Sequence, residues 1–372
     1  MFVNIFNNFF SFYITQPLRQ ISAAMREIIQ TRDMSKRVDL LYRDETGDLG
    51  HSFNLMTGEL DKAYQAIKDY ALKAVIARRQ VEKIRTIFQR YVPRHVLDQY
   101  IASPESMLVP GKETPLVLLF SDVRSFTTIS ESMLPSEVVE TLNVYFEKMV
   151  KIIFDHNGIV DKYMGDGLMA FFGAPVRKGD EPLQAVLSAF EMLEALESFN
   201  EWQIGRSRQP FRIGIAVNYG MVTVGNLGSE RKMDYTVIGD QVNVSSRLEG
   251  LTKKYQESLL ISESVMKKLD GKFPCRLIDR VVPKGKSAAL AIGVFVPRKE
   301  LSETEAKAWA LHEEALGLYY KRQFREAQAI FRQVRELLPK DQVSASFIER
   351  CQACLARPPG KDWTGAVIMT EK

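Results

Sequence analysis

Two aspartates stand where short apolar runs stop. Asp122 follows Leu116-Val-Leu-Leu-Phe-Ser121, and Asp166 sits between Gly165 and Gly167 inside a hairpin pattern over 158–172. Carboxylates held at strand ends can converge, and such a pair suits a hard cation. Magnesium takes one or two carboxylates and completes its shell with phosphate oxygens. The flanking glycines permit an unusual φ and close approach of a ligand. Taken singly, each aspartate also reads as an ordinary turn residue. A second constellation is Gly239-Asp-Gln-Val-Asn-Val-Ser-Ser-Arg247. Asn243 and Arg247 are four residues apart and share one helix face. An amide and a guanidinium there can stabilise charge developing on a transferring phosphoryl group. Alone, the same run reads as an N-cap, Asp240, followed by a surface cation. Third, Lys284-Gly-Lys286 falls between two strand patterns. Its two ammonium groups suit a triphosphate, and equally a solvated turn.

A sheet with covering helices must position these groups. From 114 onward, short β runs alternate with helical patterns. Pro115 to Ser121 reads as a buried strand, and Val138, Leu142, Tyr145, Met149 and Ile153 mark one helix face. Further helices are expected over about 181–200 and from about 240. Strands are expected near 211–218, 221–225, 235–238, 258–261, 275–282 and 288–296. This order is α+β, with hairpins compatible with a ferredoxin-like core. After Pro297 the strands stop. Residues 303–336 read as a helix pair whose Ala and aromatic spacing is similar to one tetratricopeptide repeat. That tail packs on the preceding domain or docks a protein partner.

Ahead of the sheet, Leu18, Ile21, Met25 and Ile28 follow heptad steps after Pro17. A longer series runs Leu49, Phe53, Met56, Leu60, Ala63, Ile67, Tyr70, Ala74, Ala77, Val81, Ile84, Phe88, Tyr91. It predicts a rod of roughly 60 Å. One such stripe cannot bury itself, so it implies a partner helix, most simply from a second copy of the chain. Pro93, Pro104, Pro110 and Gly111 then mark a boundary.

The 372-residue length fits two to three domains. Composition is 45% hydrophobic and 26% charged, which excludes a disordered chain and a polytopic membrane protein. A net charge of +4 is too slight for a nucleic-acid-binding surface. Three cysteines form no disulfide framework, and Cys351-x-x-Cys354 lies in a helical pattern that reads as packing. Only four histidines are present, which argues against a histidine zinc site. Residues 1–15 are apolar but broken by Asn4, Asn7 and Asn8. They read as the cytoplasmic end of a membrane-spanning helix or as an amphipathic start, since a full span needs about 20 residues.

Two helices joined by a connector, with Pro17 early and Asp44-Glu-Thr-Gly47 opening the second, resemble a HAMP signalling module over 11–65. Phe120-Ser-Asp-Val-Arg-Ser-Phe-Thr127, Lys162-Tyr-Met-Gly-Asp166 and Tyr235-Thr-Val-Ile-Gly-Asp-Gln-Val-Asn-Val-Ser-Ser-Arg247 resemble the class III nucleotidyl cyclase domain over 114–297. One departure is Arg124-Ser125, where Arg-Gly is usual.

The resemblance implies a set of roles. Asp122, Asp166 and the carbonyl of Val123 would hold two magnesium or manganese ions. Asn243 would orient the ribose, and Arg247 would meet charge on the α-phosphate and leaving group. Lys284, Lys286 and Arg231, with the backbone amides around Phe126 and Thr127, would hold the terminal phosphates. Lys162 and Thr236 would read the base: Lys donates to adenine N1 and Thr accepts from N6, where guanylyl members carry Glu at the Lys position. The two halves of such a site come from different subunits, so a symmetric homodimer is expected.

The expected function is an adenylate cyclase making 3′,5′-cyclic AMP and pyrophosphate, regulated through the HAMP module and rod. The alternatives are a guanylate cyclase and a non-catalytic signal-relay scaffold. The expected segments are 1–15, the end of a membrane helix; 16–65, HAMP-like; 66–112, coiled coil and linker; 113–297, cyclase; and 298–372, helical tail. ATP, a second copy, an upstream membrane sensor and a protein partner of the tail are the expected partners. The expected location is the cytoplasmic side of the cell membrane, or else the cytoplasm.

Overall fold

The computed structural model describes residues 15–39, 44–88, 111–229, 232–282 and 291–368. The chain divides into two compact units, Met1–Leu97 and Asp98–Lys372.

In the first unit, α1 (Gln16–Thr31) has Pro17 in its first turn, where a missing N–H costs nothing. It ends at Arg32 in the left-handed region, φ 58°. The connector returns along α2 (Glu45–Phe88), where Asn54 exchanges two 2.8 Å hydrogen bonds with the backbone of Val38. Asp44 opens α2 by accepting from the amides of Thr46 and Gly47. Ile21, Val38 and Phe53 form a small core. Phe53, expected on the long stripe, is thus used within its own unit. Leu49, Met56, Leu60, Ile67, Tyr70 and Val81 remain exposed along α2. Tyr91, the last position of that stripe, lies outside the described residues.

Attachment through a membrane helix is corrected: among the described residues no helix is long and apolar enough to cross a membrane. The 44-residue α2 is charged along its whole length, from Glu45 and Asp48 to Lys83. The expectation for residues 1–15 falls, but for Thr15, outside the described residues.

The second unit is built on a sheet ordered β2-β3-β1-β4-β6-β8-β7-β9, with β5 paired to β4. The strands are β1 (Lys112–Val123), β2 (Gly158–Met164), β3 (Gly167–Phe172), β4 (Ile213–Ser229), β5 (Lys232–Ile238), β6 (Leu259–Ser262), β7 (Cys275–Val282), β8 (Ile292–Pro297) and β9 (Val367–Ile368). The helices are α3 (Phe126–Glu131), α4 (Pro135–Asp155), α5 (Glu181–Ile204), α6 (Asp240–Tyr255), α7 (Glu263–Leu269), α8 (Glu303–Tyr320), α9 (Phe324–Leu337) and α10 (Gln342–Ala356).

Strand side chains alternate between two cores. Val117, Leu119, Ile213, Ile215 and Ile261 pack with α4, α5 and α7 on one face. Ala216, Leu260, Ile278, Val294 and Val296 pack on the other with Leu248, Leu251 and Tyr255 of α6 and with α8 to α10. The tail therefore shares a core with α6.

Two sequence expectations differ. Strands near 211–218 and 221–225 are one 17-residue strand, in unbroken register with β1 from Val123↔Ile213 to Lys112↔Val224. Gly220 does not break it; a Cβ there would lie 2.6 Å from the Gln241 side chain, so the glycine admits the start of α6. The tail has a third helix, α10, capped by Asp341, whose carboxylate accepts from the Ser344 amide.

Candidate active site

Asp122 stands at the end of the central strand β1, opposite Gly214. Asp166 occupies the β2–β3 turn, after Gly165 at φ +69°. The turn folds against β1 so closely that a Cβ on Gly167 would lie 2.8 Å from Asp122 Oδ1 and 2.9 Å from the Ser121 carbonyl. The two carboxyls lie close enough for their charges to interact. Burial and the Asp166 charge push Asp122 up to about 6, and burial raises Asp166 as well. Such a pair, forced together and reluctant to carry two charges, has the donor set for a hard divalent cation that finishes its shell on phosphate. The residues fit that ion. Among the described residues no cluster of three or more His, Cys, Asp or Glu forms a larger metal site.

Sequence reasoning missed Glu249 beside this pair. It lies on α6, and burial and the Asp122 charge push its carboxyl up to about 7. Gly214 makes room for it, since a Cβ there would collide with Thr252 Oγ1 and lie 2.8 Å from Glu249 Oε1. Arg124 ties the end of β1 to the end of α6 by donating to the carbonyls of Thr252 at 3.0 Å and Glu257 at 2.5 Å. Its charge also complements the helix C-terminus. Ser125 has φ 57°, a left-handed conformation that explains why a glycine is usual there. Phe126 stacks edge-on against Phe211 at 5.8 Å, so its side chain supports the core.

A second group gathers on β2 and β5. The register of β2 against β3 shifts between Val160 and Lys162, which makes Asp161 the irregular residue. Its side chain, 2% exposed, accepts from Thr236 Oγ1 at 2.9 Å. The Lys162 amine, half exposed, lies 3.4 Å from the same Asp161 oxygen. The structure thus brings Lys162 and Thr236 together through Asp161, which sequence reasoning did not single out. Its only local signal is the adjacent polar pair Asp161-Lys162 after Ile159 and Val160.

Asn243 and Arg247 lie on the outward side of α6, Asn243 exposed and Arg247 partly so. The inward side is Val244, Ser245 and Leu248. Asn218 holds the first turn of α6, donating to Gln241 Oε1 at 3.0 Å and Ser245 Oγ at 3.1 Å. Among the described residues, no hydrogen bond or ion pair joins Asn243 or Arg247 to Asp122 or Lys162. Arg231, Lys284 and Lys286 lie outside the described residues.

The chain forms a carboxylate pair fit for a cation, a half-exposed ammonium beside a buried threonine, and an amide–guanidinium pair facing outward. Comparisons with known proteins give the family of the chain. Residues 109–296 match the adenylate and guanylate cyclase catalytic domain, and residues 9–62 match the HAMP domain. An adenylate cyclase of Anabaena cylindrica is 34% identical over 296 residues, covering 76% of this chain and 55% of that protein. This chain therefore spans about half the length of that curated relative. Among solved structures, a bacterial light-regulated adenylyl cyclase superposes with TM-score 0.53 at 25% identity, covering 63% of this chain and 66% of that one. The guanylyl cyclase Cya2 is 36% identical with TM-score 0.47, over 52% of this chain and 96% of that one. The chain belongs to the class III adenylate and guanylate cyclases, with its catalytic domain preceded by a HAMP domain.

Proposed function

We propose that this protein is an adenylate cyclase that converts ATP to 3′,5′-cyclic AMP and pyrophosphate in a homodimer. The carrying observation is the Lys162 amine beside Thr236, both gathered on the buried Asp161. An ammonium can only donate, which matches adenine N1 and mismatches guanine N1–H. The Anabaena cylindrica relative is itself named an adenylate cyclase.

Asp122, Asp166 and the Val123 carbonyl would hold two magnesium or manganese ions, which when bound supply charge to the triphosphate and acidify the ribose 3′-hydroxyl. The 3′-oxygen forms its new bond to the α-phosphorus as the bond to pyrophosphate breaks, and the hydroxyl proton passes to bulk water. Because the attack is intramolecular, positioning and electrostatics dominate the rate. Asn243 orients the ribose, and Arg247 meets the charge growing on the α-phosphate and pyrophosphate. Lys284, Lys286, Arg231 and the amides of Phe126 and Thr127 hold the terminal phosphates.

The dimer reading is supported by Asn243 and Arg247 lying on the outward side of α6, with no hydrogen bond or ion pair to Asp122 among the described residues. Exposed Tyr163, Met164, Met221, Leu227, Met233 and Ile238 on the same strands and turns offer an apolar surface for a second copy. The HAMP module and α2 would transmit a signal that sets the fit of the two half-sites.

One observation favours guanylate cyclase as the second reading: Thr236 carries a hydroxyl, which can also donate to guanine O6. Purified protein with magnesium or manganese and either ATP or GTP, with cyclic products separated by chromatography, decides between them. Cyclic AMP in excess, abolished by Asp122→Ala, is the expected result; cyclic GMP in excess overturns the proposal.

A further inference from the structure

Resting on the adenine reading above, we propose that Asp161 is the positioning residue that sets base choice, by holding the proton of Thr236 so that the hydroxyl presents only lone pairs to the purine. A threonine hydroxyl by itself is ambiguous, because it has one proton to give and two lone pairs to offer. It can meet the N6 amino group of adenine or the O6 oxygen of guanine. The ambiguity ends if a neighbour takes the proton. An ionised carboxylate accepts only, and the Asp161 carboxylate lies 2.9 Å from Thr236 Oγ1.

Three further observations favour this role. The Asp161 side chain is 2% exposed and Thr236 is 4% exposed, so water does not compete for the bond. The register shift in β2 falls at Asp161, the sort of local irregularity that re-aims a side chain beside a site. In a regular strand, Asp161 and Lys162 would point to opposite faces; here the Lys162 amine comes within 3.4 Å of the same Asp161 oxygen. Burial raises the Asp161 carboxyl above its ordinary value, and the Thr236 hydrogen bond and the Lys162 charge work against that rise. One carboxylate thereby fixes both base-reading groups, a donor at Lys162 and an acceptor at Thr236. That pair is the complement of the N1 and N6 edge of adenine.

The test is the ratio of kcat/KM for ATP to that for GTP in the full chain, for wild type, Asp161→Asn, Thr236→Val and the double variant. The same ratio is read by competition of ATP and GTP against a fluorescent ATP analogue, so binding is scored apart from turnover. In Asp161→Asn, the new side-chain amide can donate to the Thr236 oxygen and release the hydroxyl proton toward O6. The expected result is a fall of roughly tenfold or more in the ATP:GTP ratio for Asp161→Asn, the scale of one hydrogen bond. The loss should come through KM for ATP more than through kcat. Thr236→Val should produce a similar fall, and the double variant no further one. A folded Asp161→Asn protein with an unchanged ratio overturns the role of Asp161. Should Asp161→Asn not fold, Thr236→Val carries the test, and an unchanged ratio there overturns the proposal. The wild-type ratio reports separately on the substrate. A preference for GTP overturns the adenine reading itself, whereas a preference for ATP that survives both substitutions overturns only the assignment to Asp161.

Discussion

The hydroxyl of Tyr255, last residue of α6, donates to the fully buried carboxylate of Asp279 on β7. Arg350 of α10 reaches the same carboxylate at 2.8 Å. One acid therefore joins the helix that carries Asn243 and Arg247 to the sheet and to the tail. A neighbouring joint repeats the logic, with Arg276 pairing at 2.7 Å with Asp341, the cap of α10. Buried His312 fills the remaining space, one ring nitrogen at 3.0 Å from the Leu277 carbonyl. Burial and the nearby Arg276 charge push its imidazole down to about 3, so it stays neutral.

Removing Arg350 strands Asp279 as an uncompensated buried charge. Arg350→Met should cost about 3–5 kcal/mol, read as a lower urea midpoint. The double variant Asp279→Asn/Arg350→Met should recover most of that loss, because no lone charge remains. Equal destabilisation by the single and double variants would show that the packing, not the charge, matters.

The carboxylate pair makes a pH prediction. Asp122 has a folded-state value of about 6 against an ordinary 3.8, and Glu249 about 7 against 4.5. Raised acids favour the fold when protonated. Their benefit is complete below the unfolded values and is lost as pH rises through 6 to 7. The metal-free protein should therefore melt higher when Asp122→Asn is introduced at pH 7.5, with little change at pH 4. Magnesium or manganese should raise the melting temperature of wild type at pH 7.5 and do so much less in the variant. A thermal-shift series across pH reads both effects.

Complementation tests the shared site. Asp122→Ala and Asn243→Ala should each be nearly inactive alone. Mixed in equal amounts, half of the dimers would be mixed and each would own one intact site of two, restoring roughly a quarter of wild-type turnover. No recovery, with exchange of subunits verified by light scattering of tagged chains, would place the whole site in one chain.

Ser125 holds a left-handed backbone at φ 57°. Ser125→Gly should keep turnover and change stability by no more than about 1 kcal/mol. Ser125→Val should cost about 1–3 kcal/mol and lower turnover, because the strained residue sits between the end of β1, which carries Asp122, and α3. A denaturation midpoint and an initial rate on each variant suffice.

Much of this site was legible in the residues. Asp122 follows the apolar run Leu116–Phe120 and Ser121, and Asp166 lies between Gly165, which takes a positive φ, and Gly167, which lets the turn approach β1 closely. That Asn243 and Arg247 share one side of α6 follows from helical spacing. Asp161 and Glu249 were not legible, since each owes its importance to burial against groups distant in sequence: Thr236 for one and Asp122 for the other. A single irregular residue in β2 has little local signature beyond two adjacent polar side chains. The single strand Ile213–Ser229 was expected as two, near 211–218 and 221–225, for a related reason: Gly220 lies between them. Its small size serves the Gln241 side chain across the sheet, and only tertiary contact reveals that.

The core shared by α6 and the last three helices bears on how this protein can be cut and grafted. The family match ends at 296, before the first of those helices begins at Glu303. A fragment trimmed at that point would uncover Ile278, Val281, Val294 and Val296 and leave Asp279 facing water without Arg350. The smallest transplantable piece is therefore the sheet together with α8, α9 and α10. Chimeras that attach the catalytic region to a different sensor should retain these three helices as ballast for α6.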